Sequence, residues 1–136
     1  MQETRRMRLQ SAIQEELAQF VSREVKDPRI PMVTFTDVQV TQDGSHSTIF
    51  VAILGSGLSP DGTEMSEAAT KQRMQECLTG LTAASGYIRR HLAKVLQVRH
   101  VPTLSFREDR GFENSTRVHE LLIKLQRDDK KPPAAE

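Results

Sequence analysis

The feature that most constrains the fold is an apolar helical pattern that continues through a glycine. Apolar side chains recur at steps of three, four and seven on both sides of Ala84-Ser85-Gly86, as on one face of a helix. They are Leu78, Leu81, Ile88, Leu92, Val95 and Leu96. A straight helix over residues 64–96 would be about 50 Å long at 1.5 Å per residue, more than a domain of this size can cover. We therefore predict a kink at Ala84-Ser85-Gly86, because glycine tolerates backbone angles that other residues avoid.

One helix and two β-rich runs are predicted before the kinked helix. The helix spans residues 2–25 and ends at Asp27-Pro28, because the residue before a proline is pushed out of helical geometry. Its buried stripe is Leu9, Ile13, Leu17, Phe20 and Val21. The two runs flank Gln42-Asp43-Gly44-Ser45, in which Asp-Gly is a strong hairpin signal. In the first run the apolar phase changes from odd to even positions, which predicts a β-bulge near Thr36-Asp37.

A loop precedes the kinked helix, and a strand and a last helix follow it. Residues 55–64 are rich in Gly, Ser and Pro, and we expect the helix to begin near Thr63, with Glu64 and Glu67 in its first turn. A third strand is predicted over residues 98–106, with Pro102 near its start. Asn114-Ser115-Thr116 is a capping signal for the last helix. The apolar stripe of that helix is Val118, Leu121, Leu122 and Leu125.

This order of elements predicts an α+β domain with two layers. A hairpin and one further strand make a three-stranded sheet, and the amphipathic helices cover its apolar face. We assign residues 1–127 to this domain. Residues 128–136 are polar and rich in proline, and we expect them to be a disordered tail.

Composition and motifs exclude several classes of protein. The single Cys77 cannot form an internal disulfide and is interpreted as a packing residue of a protein from a reducing cytosol. The chain has neither a run of about 18 apolar residues nor a secretory signal, so we expect a soluble, cytoplasmic protein that does not bind membranes. The histidines lack metal-ligand spacing, and no catalytic or nucleotide-binding motif is present. We expect no enzymatic activity, no metal and no cofactor.

Positive charge is concentrated in two segments, although the net charge is only +1. The first is a basic island without Asp or Glu over residues 77–107, and it contains Arg89, Arg90, His91, Lys94, Arg99, His100 and Arg107. The second is the cluster Arg5, Arg6 and Arg8. Clustered cations are typical of a surface that binds nucleic-acid phosphates. Solvated helix faces are the simpler interpretation of any single arginine.

Four motifs in a fixed order carry a resemblance to a known family. They are "KDPRI" at residues 26–30, "ASGYIRRHLA" at 84–93, "VRHVPTLSFREDR" at 98–110 and "STRVHELL" at 115–122. The order of elements is similar to that of the type II KH domain, whose GXXG loop clamps nucleic-acid backbone. Ala84-Ser85-Gly86 stands in the place of that loop and resembles the Ala-x-Gly kink of the ribosome-binding factor A family. The resemblance extends over residues 5–125.

The resemblance implies a KH-like ribosome assembly factor without catalytic activity. Such a factor binds the free or immature small (30S) ribosomal subunit and assists late maturation of 16S rRNA, including processing of its 5′ end. It implies a small-subunit maturation GTPase as a partner that promotes release, and we expect a monomer. The residues that we expect to contact rRNA are Arg89, Arg90, Lys94, Arg99, Arg5, Arg6, Arg8, Lys26 and Arg29.

The kink at Ala84-Ser85-Gly86 has two interpretations. It either aims the basic helix and lets its first amides approach a phosphate, or Gly86 only permits close packing on the sheet. Aromatic side chains that could stack on bases are scarce, because the chain has no Trp and Tyr87 is its only Tyr. We therefore expect recognition of RNA backbone and shape. The alternatives are a protein-interaction module whose basic face binds an acidic partner and, third, a small hydrolase.

The tail generates a first testable prediction. Residues 128–136 contain no large apolar side chain that could join a core, so removing everything after Arg127 should leave the melting temperature nearly unchanged. Thermal unfolding of the truncated and full-length chains, followed by circular dichroism, measures this. A loss of several degrees would show that the tail docks on the domain.

Overall fold

The computed structural model describes residues 2–59 and 61–110, and its elements follow the predicted order. They are α1 (Glu3–Glu24), β1 (Val33–Val40), β2 (His46–Ile53), α2 (Glu67–Ala83), α3 (Ser85–Leu96) and β3 (Thr103–Glu108). The predicted last helix and the predicted tail lie outside the described residues. The α+β class and the three-stranded sheet are confirmed.

The sheet is mixed and has the strand order β1-β2-β3. β1 and β2 are an antiparallel hairpin, and Gly44 in their turn has a φ of 75°, which explains the glycine of the Asp-Gly signal. The register shifts between Phe35 and Asp37, so the predicted bulge is confirmed. β3 runs parallel to β2 and begins at Thr103, five residues later than predicted. The buried Pro102 lies directly before it, and residues 98–101, in which only Val98 and Val101 are apolar, belong to the connection from α3.

Helix α1 packs on the sheet and also follows the outer edge of β1. All five residues of its predicted stripe are buried. The side-chain amide of Gln14 donates to the Phe35 carbonyl at 2.6 Å, and the Gln10 amide oxygen accepts from the Val40 backbone N–H at 2.9 Å. An edge strand leaves such backbone groups without strand partners, and α1 supplies side-chain partners instead.

Helices α2 and α3 complete the core with one continuous apolar stripe. Met74, Cys77, Leu81, Ile88 and Leu92 are buried, and Leu78 and Leu96 pack at the border of the core. The prediction for Val95 was wrong, because 42% of its surface is exposed. In the last turn of α3, position 95 no longer faces the core, and Leu96 packs against the core instead.

Helix α2 begins later than the sequence pattern predicted. Its first residue is Glu67, so Glu64 lies outside the helix. The hydroxyl oxygen of Ser66 accepts from the Ala69 backbone N–H at 3.1 Å and caps the helix. Upstream, the Asp61 carboxylate accepts hydrogen bonds from the side chain of Ser59 and from Thr63, which holds these residues in a separate turn. The hydrogen bonds to Asp61 thus compete successfully with helical hydrogen bonds, and the helix begins later than predicted.

The helix breaks at Ala84, and its geometry differs from the one expected for a glycine kink. Ala84 has φ −88° and ψ −1°, and its N–H is shared among the carbonyls of residues 80–82. The Ser85 hydroxyl donates to the Thr82 carbonyl at 2.7 Å. Gly86 lies in the first turn of α3 with ordinary helical geometry and is exposed. Glycine is therefore not required by backbone angles at position 86.

Close packing instead requires a glycine at position 80, which the sequence pattern had not singled out. A Cβ atom on Gly80 would lie 3.0 Å from Ile30 Cγ1, 3.3 Å from Asp27 Oδ2 and 3.4 Å from Arg29 Cβ. A Cβ atom on Gly86 would meet only Arg90 Nη1, at 3.9 Å. The turn that follows α1 thus sits directly on α2 at Gly80.

These two glycines give a matched pair of substitutions. Gly86→Ala should stabilise the domain by up to about 1 kcal/mol, because alanine has the higher helix propensity and meets open space. Gly80→Ala should destabilise it by about 1 kcal/mol, because the strain of overpacking exceeds the same propensity gain. Urea unfolding of both variants and the parent measures the difference. Equal stability changes at the two positions would contradict the packing role of Gly80.

Candidate nucleic-acid interface

A shallow groove with basic walls lies between α3 and the segment that connects it to β3. Its volume is about 440 Å³, and it is lined by Gly86, Arg89, Arg90, Ala93, Arg99, His100 and Val101. We call these seven residues the basic groove. The first four, Gly86, Arg89, Arg90 and Ala93, recur at steps of three, four and seven in the sequence, which places them on one face of α3. The other three form the opposite wall.

The groove exists because the chain reverses direction after α3. Gln97 ends the helix in the left-handed conformation, with a φ of 53°, and the connection then returns along α3. The Arg89 guanidinium donates to the Val101 carbonyl at 2.8 Å and ties the two walls together. Arg89 is thus the residue that joins α3 to the opposite wall.

Arg90 and Arg99 are the two arginines of the groove whose guanidinium groups lack a hydrogen-bonded partner among the described residues. Neither has an ion pair or a hydrogen bond to another residue within the described part of the chain. No carboxylate occurs in residues 77–107, so the local sequence supplies no neutralising charge. Two exposed guanidinium groups and the imidazole of His100 therefore face solvent around one concave surface. This arrangement fits a polyanion such as a nucleic-acid backbone.

The face of α3 that contacts α1 packs on it through aromatic rings. The His91 ring stacks on Phe20 at 4.0 Å between centroids, and its Nε2 lies 3.3 Å from a Glu16 carboxylate oxygen. The Tyr87 ring lies 5.1 Å from Phe20 and is tilted by 51°. His91, although part of the basic island, thus belongs to the contact between two helices.

The structure does not bring the N-terminal cations to the groove. Glu16 contacts His91 and Phe20 contacts Tyr87, so α1 runs antiparallel to α3. Arg6 lies about 20 Å along α1 from Phe20 at 1.5 Å per residue, and Arg5 and Arg8 are its neighbours. Arg6 is also engaged within the fold, since it pairs with Glu3 at 2.6 Å and donates to the Val40 carbonyl at 2.9 Å.

Three further predicted contact residues also lie outside the groove. Arg29 is held by the Asp27 carboxylate at 2.7 Å, and this hydrogen-bonded pair lowers the pKa of Asp27 to about 2. Lys26 is exposed in the same turn. Lys94 is exposed one turn after Arg90 but does not line the groove. The structure therefore groups Arg89, Arg90 and Arg99 and separates the remaining six predicted residues from them.

The sequence prediction missed one basic side chain of this surface. His100 lies in the basic island but was not among the predicted contact residues. Its position directly after Arg99, in a connection that must return from α3 to β3, was the signal available. The role of Val101 as the acceptor for Arg89 had no sequence signal.

The described residues bring no reactive thiol and no set of metal ligands together at a second site. Cys77 is fully buried in the core, and burial raises the pKa of its thiol to about 11. Within residues 2–59 and 61–110 there is no group of three His, Cys, Asp or Glu side chains that could hold a metal ion. None of the described helices combines the length and apolar character needed to cross a membrane.

Comparison with known proteins places the chain among ribosome-binding factors. The profile described as ribosome-binding factor A matches residues 5–122. A protein of that name from Aromatoleum aromaticum is 35% identical over 126 residues, which cover 93% of this chain and 88% of the relative. The crystal structure of ribosome-binding factor A from Thermus thermophilus superposes with a TM-score of 0.55 at 21% identity and covers 76% of this chain and 94% of its own. A second Thermus thermophilus structure, a homology model fitted into a cryo-EM map of a 30S–RbfA complex, gives a TM-score of 0.52 at 23% identity, with 76% and 93% covered.

The position of Arg6 predicts that it stabilises the fold, whereas its neighbour Arg8 does not. Arg6→Ala removes the hydrogen bond to the Val40 carbonyl and should lower the free energy of unfolding by about 1 kcal/mol. Arg8→Ala removes an exposed cation for which no bond to another described residue is seen, and should change stability little. Urea unfolding of both variants measures this. Equal effects would contradict the structural role of Arg6.

Proposed function

This chain belongs to the ribosome-binding factor A family, and on that premise we propose that it is an assembly factor for the small ribosomal subunit. It binds the free or immature 30S subunit and assists late maturation of 16S rRNA, including processing of its 5′ end. It acts in the cytoplasm as a monomer, without catalysis, and a maturation GTPase promotes its release. The 30S complex of the Thermus thermophilus relative supports the choice of subunit.

The observation that carries the proposal is the basic groove. Arg90 on α3 and Arg99 on the connection face one concave surface without ion pairs to other described residues. Each can donate several hydrogen bonds to phosphate oxygens in a fixed planar geometry. Arg89 adds positive charge, and its bond to the Val101 carbonyl links the two walls. A preformed site of this kind loses little conformational entropy when it binds.

The glycine at position 86 has a place in this proposal that differs from the one inferred from sequence. It does not bend the helix, because the break is at Ala84 and Gly86 has helical geometry. It leaves position 86 of α3 without a side chain, and the nearest atom that a Cβ there would meet is Arg90 Nη1, at 3.9 Å. A polyanion can therefore approach the helix closely between Arg89 and Arg90. Close packing on the sheet does not explain this glycine.

The groove residues generate a prediction about the strength and salt dependence of RNA binding. Arg90→Gln and Arg99→Gln should each weaken binding to small-subunit rRNA and lower the slope of log affinity against log salt by about 0.7 to 0.9 per lost phosphate contact. Lys71→Gln is the matched control, since it removes one exposed charge about 20 Å along α2 from Ala84. Titration of protein-free 16S rRNA fragments at several salt concentrations measures both quantities.

The same titration separates RNA binding from binding to an acidic protein partner. If Arg90→Gln, Arg99→Gln and Lys71→Gln have equal small effects on rRNA affinity, the groove is not the RNA site. If the parent chain binds intact immature subunits but no protein-free rRNA, the partner of the groove is a ribosomal protein. Thermal unfolding of each variant verifies that the fold is retained.

A further inference from the structure

We propose that Tyr87 is a stacking platform for one unpaired RNA base at the edge of the basic groove. The inference rests on the proposed function and specifies its ligand as single-stranded RNA. It also refines the sequence-based expectation that only backbone and shape are recognised. Scarcity of aromatic residues argues against a row of stacked bases, whereas one ring is sufficient for one base.

The Tyr87 ring packs against a second aromatic ring and is partly exposed to solvent. It packs on Phe20 at 5.1 Å between centroids, and Phe20 in turn stacks on His91. Phe20 is buried, but 43% of the surface of Tyr87 is exposed. A large aromatic side chain that is half exposed and held by a second ring can bind another planar group with little loss of its own conformational freedom.

Arg90 connects this ring to the groove. Its guanidinium carbon lies 5.9 Å from the Tyr87 ring centroid, and the same side chain lines the basic groove. No hydrogen bond holds Arg90 elsewhere in residues 2–59 and 61–110. The guanidinium is therefore able to turn toward a phosphate or onto the outer face of a base, both of which are common arginine contacts in RNA complexes.

This combination of charge and aromatic surface selects the ligand. The basic groove attracts any polyanion, including duplex RNA, because every phosphate carries the same charge. A base in a duplex is stacked on its neighbours, whereas an unpaired base is free to stack on a side chain. The pair Tyr87–Arg90 thus favours single-stranded segments over duplexes. Stacking depends weakly on base identity, so little sequence preference is expected.

The chain provides its own reporter for the test, since it contains one Tyr and no Trp. Tyrosine fluorescence of the full-length protein is followed while a short unstructured oligoadenylate or an RNA duplex of equal length is added. Free N-acetyltyrosinamide at matched RNA absorbance corrects for light absorbed by the bases. The single strand should quench the emission saturably, and the duplex should leave it nearly unchanged.

Two substitutions complete the test by measuring affinity for the same RNAs. Tyr87→Leu should weaken single-strand binding at least about fivefold, because a stacked base is lost. The slope of log affinity against log salt should be the same for Tyr87→Leu as for the parent, since no cation is removed. Tyr87→Phe keeps the ring and should bind within about twofold of the parent.

The outcomes separate this inference from the proposed function. Equal quenching by both RNAs, or unchanged single-strand affinity in Tyr87→Leu, would overturn the stacking platform. If Arg90→Gln and Arg99→Gln weaken binding in that case, the groove remains the RNA site. If they also have no effect, the proposed function fails as well. Should Tyr87→Leu fail to fold, the quenching of the parent protein decides the question.

Discussion

The bend at Ala84 is the constraint on which the rest of the structure depends. Helices α2 and α3 contain 29 residues between them, a length of about 44 Å if they were straight. β2, the central strand, has only eight residues, so a straight helix would extend far beyond the sheet that it must cover. The bend returns the apolar stripe to the core, where Leu81 and Ile88 are both fully buried. The same bend turns the polar face of α3 toward the connection to β3 and so creates one wall of the groove.

The arginines of this molecule fall into two groups, those that hold local structure and those that are available to a ligand. Arg6 and Arg29 are basic residues that hold local structure, the first through the Val40 carbonyl and the second through Asp27. Within the groove, Arg89 holds local structure through its hydrogen bond to the Val101 carbonyl. Arg90 and Arg99 are the arginines of the groove that remain available to a ligand. A nearly neutral chain can thus present a positive surface because Arg6 and Arg29 are paired with carboxylates, whereas residues 77–107 contain no carboxylate.

The sequence was sufficient to predict the fold class, the order of the six described elements, the α1 stripe and the bulge, because each follows from a local pattern of residues. Boundaries were predicted less well where side-chain hydrogen bonds decide them, as at Ser66. The groove could be predicted only in part. Arg89, Arg90 and Arg99 lie in one charged segment, but the left-handed turn at Gln97 that brings its two halves together has no glycine to mark it. The close approach at Gly80 depends on a contact with a turn about 50 residues earlier, which helical periodicity alone does not reveal.

The side chains that α1 places along β1 have a consequence for how copies of this chain meet one another. Arg6, Gln10 and Gln14 recur every four residues, so one side chain per helical turn occupies a backbone group of β1. A strand from a second copy therefore encounters guanidinium and amide groups at these positions, where a bare edge would offer free backbone donors and acceptors. The backbone groups of Phe35 and Val40 on that edge become available only when these α1 side chains move away, and α1 carries five core residues that resist such a movement. Pairing of a second strand at these two residues is in this way opposed by the packing of the core.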